Sequence, residues 1–218
     1  MQYDFSDGDH DRVATFDIET TSVRPADGEV VAVGVGVHEP GSPAGAAEYT
    51  VLRREGDDEA ALVERGVAAV EDAGADLLVS YNGTGYDLDY LDGRMAALGR
   101  EPVPVALHES GDHLDLMVPR RVRASAAGED YPSLEACLSS YGIEPARTVW
   151  RGAELTNVRF GRELGPAYLD ALGTPTGEEL GAVVDHYLVT DLEANLALYY
   201  ADVGRDFDPE YAGTERVF

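Results

Sequence analysis

In the segment RVATFDIETTSVRP (12–25), two carboxylates, Asp17 and Glu19, stand two residues apart. Val13, Ala14, Phe16 and Ile18 have the apolar and aromatic character of half-buried strand positions. Side chains two apart on a strand project from one face, so Asp17 and Glu19 emerge together. Like charges held so close are either solvated on the polar face of an edge strand or share a divalent cation, and hard oxygen donors suit Mg²⁺ and Mn²⁺. Two further segments carry matching groups. YNGTGYDLDYL (81–91) ends a short apolar strand, turns through Gly83 and Gly85, and presents Asp87 at the start of a helix. An Asp there also serves ordinary complementation of the helix dipole. In HYLVTDLEANL (186–196), Tyr187 and Asp191 are four apart and share one helical face.

The elements that must position these groups follow from periodicity. The segments 13–19, 28–39 and 48–54 read as three strands of an antiparallel meander. A helix follows over 57–75, with Leu62, Val63, Val67 and Val70 on one stripe and Gly74 as its stop. A short strand over 76–83 and a helix over 86–99 come next. The second half is less regular: HLDLMVPRRVR (113–123), a helix at about 132–141 with Pro132 near its first turn, and a loop-rich stretch from 142 to 175. The segment 176–204 is the longest periodic run, with Val184, Leu188, Leu192 and Leu196 at spacing four. This order predicts an α/β fold with a mixed sheet, a three-stranded antiparallel meander plus parallel strands, flanked by helices. It divides the chain into an acidic tail (1–12), one domain (13–204) and a C-terminal tail (205–218).

Composition narrows the setting. The 218 residues hold 42 Asp plus Glu against 16 Lys plus Arg, all 16 of them Arg, for a formal net charge of −26. The composition resembles that of proteins from salt-accumulating haloarchaea, in whose cytoplasm the Debye length falls to roughly 3 Å near 1 M salt and self-repulsion is screened. The single cysteine, Cys137, excludes an internal disulfide framework, and five scattered histidines do not suggest a zinc cage. The sequence shows no bilayer-length apolar run and no signal-peptide pattern at its start, so a cytoplasmic location and no membrane partner are expected.

Together, FDIETTS, SYNGTGYDLDYL and HYLVTDLEANL resemble the three motifs of the DEDDy 3′–5′ exonucleases, a family with a ribonuclease H-like fold that includes the proofreading domains of family B DNA polymerases. HLDLM and YPSLEACLSSYGI resemble its connecting segments. The resemblance covers about residues 12–201, and by extent it is closest to free-standing YprB-type ribonuclease H-like proteins. It implies that Asp17, Glu19, Asp87 and Asp191 bind two Mg²⁺ or Mn²⁺ ions, that Tyr187 orients the attacking water, and that Thr20, Asn82 and Tyr86 shape the site around the terminal nucleotide. The activity implied is metal-dependent exonucleolytic hydrolysis at 3′ ends of single-stranded DNA, with RNA also open. RNA-processing or structure-selective cleavage on the same fold, and a catalytically silent nucleic-acid-binding module, are the alternatives. In the first motif Ser22 stands where many relatives have glycine.

His186 also satisfies the spacing of a histidine variant of this superfamily. On a continuous helix, residues five apart are about 140° out of phase, whereas residues four apart are about 40° apart, so Tyr187 is expected to point with Asp191 and His186 to be a partly exposed helix residue. A chain this acidic must attract a polyanion locally. PRRVR (119–123) and ARTVWRGAELTNVRFGR (146–162) supply arginines with Trp150 and Phe160 interleaved, and Arg120, Arg121 and Arg151 are the expected phosphate contacts. The same arginines have abundant surface acids to pair with.

Overall fold

The computed structural model describes residues 10–218, so the tail expected over 1–12 lies largely outside the described residues. Arg12 is held in place: its backbone N–H and that of Asp11 donate to the Asp76 carboxylate, and its Nε donates to the Ala73 carbonyl.

The meander forms as its periodicity predicts, with β1 (Val13–Thr20), β2 (Val30–His38) and β3 (Glu48–Arg53) in antiparallel register. α1 (Glu59–Asp72) leads to β4 (Leu77–Ser80), which pairs parallel to β1. A wide turn over Gly83–Asp87 passes into α2 (Leu88–Ala97), and α3 (Ala106–Ser110) precedes β5 (His113–Asp115), parallel to β4. The sheet order is β3-β2-β1-β4-β5. α4 (Met117–Ala127) and α5 (Leu134–Ser140) follow. Pro132 precedes the α5 N-cap Ser133 and does not enter the first turn.

The stretch expected to be loop from 142 to 175 is more ordered than its sequence suggests. It holds β6 (Arg147–Trp150), β7 (Ala153–Glu154), the short α6 (Asn157–Arg159), a wide turn over Phe160–Leu164, and α7 (Gly165–Asp170). α8 (Pro175–Val203) then runs for 29 residues. The expected C-terminal tail carries β8 (Glu215–Val217), which pairs parallel to β6 in a second sheet of order β7-β6-β8. Strands of two to four residues are too short to show a period, and this pairing joins segments more than 60 residues apart, so neither was visible locally.

Alternation along β1 sorts its residues between two faces. Ala14, Phe16 and Ile18 pack with Leu62, Val63 and Val67 of α1 and Leu91 and Met95 of α2. The opposite face, which carries Asp17 and Glu19, is crossed by α8, whose Leu188 and Leu192 pack near Ala32 of β2. Gly34, paired with Asp17 across the β1/β2 ladder, permits that approach. A Cβ there would stand 2.8 Å from Leu188 Cγ and 2.9 Å from Leu192 Cδ1. The contact brings the α8 face bearing Asp191 against the strand bearing Asp17. Gly34→Ala is therefore expected to destabilise the fold by about 1–3 kcal/mol through overpacking, read as a lower urea midpoint in high KCl. An unchanged midpoint would contradict the tight approach.

Candidate active site

Three local features aim the carboxylates. A register shift between Glu19 and Thr20 ends the regular β1/β2 ladder, the kind of irregularity that re-aims a side chain at a sheet edge. After β4 the chain reverses through Asn82, a non-glycine residue with φ of 74°, and the wide turn delivers Asp87 to the threshold of α2. On α8, Asp191 lies one turn beyond Tyr187. As a result, one carboxylate oxygen from each of Asp17, Glu19 and Asp191 lies within 4.8 Å of the others. Asp87 is outside that trio but lines the same cavity, about 750 Å³ in volume, and its charge acts on Glu19.

The electrostatics of this arrangement are unfavourable without a counter-charge. Two full charges about 4.8 Å apart repel by roughly 3–4 kcal/mol at an effective dielectric constant near 20. Burial is the larger influence and raises the Asp17 pKa from its ordinary 3.8 to about 7. Burial and then the charges of Asp17, Asp191 and Asp87 push Glu19 well up. Asp87 is raised by burial, Asp17 and Asp115, and Asp191 by burial, Asp17 and Glu135. Among the described residues, no ion pair reaches any of the four. Other buried acids of the chain are matched: Glu59 binds Arg94 at 2.7 Å, Asp202 binds Arg120 at 2.7 Å, and Glu193 accepts the backbone N–H groups of Glu210 and Tyr211. A set of hard oxygen donors that lacks protein cations fits a divalent metal ion.

The remaining expected residues divide. Thr20, Asn82 and Tyr86 line the cavity. Tyr86 Oη lies 3.3 Å from Thr20 Oγ1, and Asn82 Oδ1 is buried without a hydrogen-bond partner among the described residues. Tyr187 is buried, stacks on Phe160, and donates its hydroxyl proton to Asn157 Oδ1. Burial and then the charges of Asp191, Glu19 and Asp17 hold its pKa well above the usual phenol value, so it keeps that proton. His186 points elsewhere, as the helical phase predicts, but it is buried, not partly exposed: its Nδ1 meets Thr148 Oγ1 at 2.8 Å and its ring packs on Tyr211 and Phe218.

The arginine expectation needs correction. Arg120 is 0% exposed and binds Asp202 with one guanidinium nitrogen, at 2.7 and 2.8 Å to the two oxygens, so it ties α4 to α8 and offers nothing to a phosphate. Arg151 is exposed on the β6–β7 turn, stacked on Trp150 and outside the cavity lining. Arg121 stays near the site, over the Tyr131 ring and beside Gly85. Arg162, the last arginine of the 146–162 track, lines the cavity.

Four more lining or supporting residues were missed. Asn195, 2% exposed and with no hydrogen-bond partner at Oδ1 among the described residues, lies one turn past Asp191 and was within reach of the helical period. Glu135, Asn157 and Asp115 meet the site only through long-range packing, and nothing local marks them. The exposed rim of the cavity is mixed: Val23, Tyr131 and Val158, 77%, 52% and 62% exposed, line it together with exposed Ser133, Glu135, Asn157 and Arg162.

The raised carboxyl pKa values link the site to stability. For Asp17 the contribution is fully present below the unfolded value near 4 and is lost as pH rises through about 7 in the metal-free protein. A bound divalent ion reverses that loss. Added Mg²⁺ is therefore expected to raise the melting temperature more at pH 8 than at pH 5.5, with EDTA restoring the baseline; an equal shift at both pH values would contradict it.

Comparisons with known proteins bear on the family and the fold. A family model described as the RNase H superfamily matches residues 14–161. Among solved structures, the family B DNA polymerase from the hyperthermophilic archaeon Pyrobaculum calidifontis superposes with a TM-score of 0.54 at 20% identity, over 86% of this chain and 24% of the polymerase chain. The similarity thus spans about a quarter of that enzyme and concerns the fold. No curated protein matches the chain.

Proposed function

The chain belongs to the RNase H superfamily, and from that premise we propose that it is a 3′–5′ exonuclease of the DEDDy type, acting on single-stranded nucleic acid with two divalent cations. The observation that carries this reading is the set of four carboxylates lining one cavity, three within 4.8 Å, with no protein cation paired to them among the described residues. Polarity and strand preference rest on the three motifs in their order.

In this reading Asp17, Glu19, Asp87 and Asp191 hold Mg²⁺ or Mn²⁺. Such ions, when bound, supply Lewis acidity toward the phosphate and offset its charge. The chain's own residues do the rest. Tyr187 keeps its proton at Oη and lines the adjoining cavity shared by Asn157 and Asp191; turned from Asn157, its O–H would hydrogen-bond to the attacking water, with no proton transferred, and hold that water's lone pair toward phosphorus. Asn82 and Tyr86 shape the terminal nucleotide's subsite, and Thr20 secures Tyr86. Arg162 and Arg121 are the phosphate contacts available at the cavity, in place of Arg120. Tyr131 and the valines at the mouth offer faces to unpaired bases. The acidic composition fits a high-salt cytoplasm, where screening lets a polyanion approach an acidic surface.

The test uses 5′-labelled single-stranded DNA and RNA of one sequence in high KCl with Mn²⁺, Mg²⁺ or EDTA. A metal-dependent ladder shortening from the 3′ end, reduced about 10²–10³-fold or more by Asp17→Ala, is the expected outcome. Binding without degradation under either metal would assign the chain to the silent-module alternative.

A further inference from the structure

The β4 ladder ends at Ser80, whose carbonyl accepts the Leu116 N–H at 2.9 Å, and within seven residues the chain must reverse from strand to helix. The reversal leaves backbone N–H groups at residues 82 and 84 pointing away from any ladder partner. Asp115, opposite Ser80 at the end of β5 and 5% exposed, takes them up. Its Oδ1 accepts from Asn82 N at 2.8 Å and Met117 N at 2.9 Å. Its Oδ2 accepts from Thr84 N at 3.0 Å and Thr84 Oγ1 at 2.6 Å. Three of these four donors, Asn82 N, Thr84 N and Thr84 Oγ1, tie the left-handed Asn82 and the turn that follows it to one buried carboxylate, and Asp87 is the last residue of that turn.

We propose that Asp115 is a positioning residue: by clamping the turn from Asn82 to Asp87, it aims the Asp87 carboxylate into the cavity beside Asp17 and Glu19. The proposal rests on the reading of those carboxylates as cation ligands. Asp115 touches neither substrate nor metal and acts through Asp87. An amide cannot replace this carboxylate, because whichever oxygen became nitrogen would present N–H groups to two donors. Thr84 offers a second handle that leaves charge unchanged, since its hydroxyl makes the shortest of the four contacts.

The test is Mn²⁺ binding by isothermal titration to the full chain in high KCl, without nucleic acid, alongside circular dichroism melts. Wild type is expected to take up two ions. Asp115→Asn is expected to weaken one of them 10–100-fold, the range typical of groups that orient metal ligands, while the other is held. Thr84→Val is expected to weaken the same ion several-fold and Thr84→Ser to restore it; that pair separates the clamp from the loss of the Asp115 charge near Asp87. A purely structural Asp115 would lower the melting temperature with both affinities unchanged. If Asp115→Asn does not fold, the Thr84 pair decides. Wild type binding two ions with Asp115→Asn and Thr84→Val unchanged overturns the positioning role and leaves the functional reading intact. Wild type binding no Mn²⁺ overturns both.

Discussion

Four carboxylates brought to one cavity, Glu19 and Asp87 buried and Asp17 and Asp191 half-buried, repel one another and lose much of their hydration, and the fold has to withstand both. The penalty is visible in the raised pKa of each, led in every case by burial. It is borne by apolar packing on both faces of the five-stranded sheet, where α1 and α2 cover one side of β1 and α8 the other. Gly34 lets α8 settle close enough to bring Asp191 to Asp17. The buried arginines are committed to other acids, Arg120 to Asp202 and Arg94 to Glu59. A cluster with no counter-charge among the described residues, in a chain whose other buried acids meet arginines or backbone N–H groups, fits a cation from outside.

The acidity of the chain bears on how such a site would meet the nucleic-acid substrate proposed for it. With 42 acidic residues against 16 arginines, long-range attraction of a polyanion is not available. What the cavity offers is local: an electronegative floor for cations, Arg162 and Arg121 at its edge, and apolar Val23, Tyr131 and Val158 at its mouth. In the proposed reading, recognition would draw on stacking, which salt does not screen, as well as on arginine–phosphate pairs, which it weakens.

How much of this could be read from the sequence depended on range. The meander and α8 were legible because a period of two or of 3.6 repeats several times within each. Asp17 with Glu19, and Tyr187 with Asp191, were legible as pairs because each lies within one repeat of its own element. That the pairs meet came from the motif order, since no local property of β1 points to α8. Arg120 was misread because an arginine in PRRVR looks solvent-facing until Asp202, 82 residues later, closes over it. Asp115 was passed over inside HLDLM because three of its four contacts lie at Asn82 and Thr84, in a turn that its own neighbours do not announce. β6 and β8 were missed because a three-residue parallel ladder has no signature outside its partner.

The central claim is that the four carboxylates exist to hold cations, and the most direct measurement is anomalous diffraction from crystals of the protein grown in high KCl and soaked in Mn²⁺. The account predicts two anomalous peaks inside the cavity, within coordination distance of Asp17, Glu19, Asp87 and Asp191 oxygens. Manganese absent from the cavity at full soak, with the carboxylates unmoved, would contradict it.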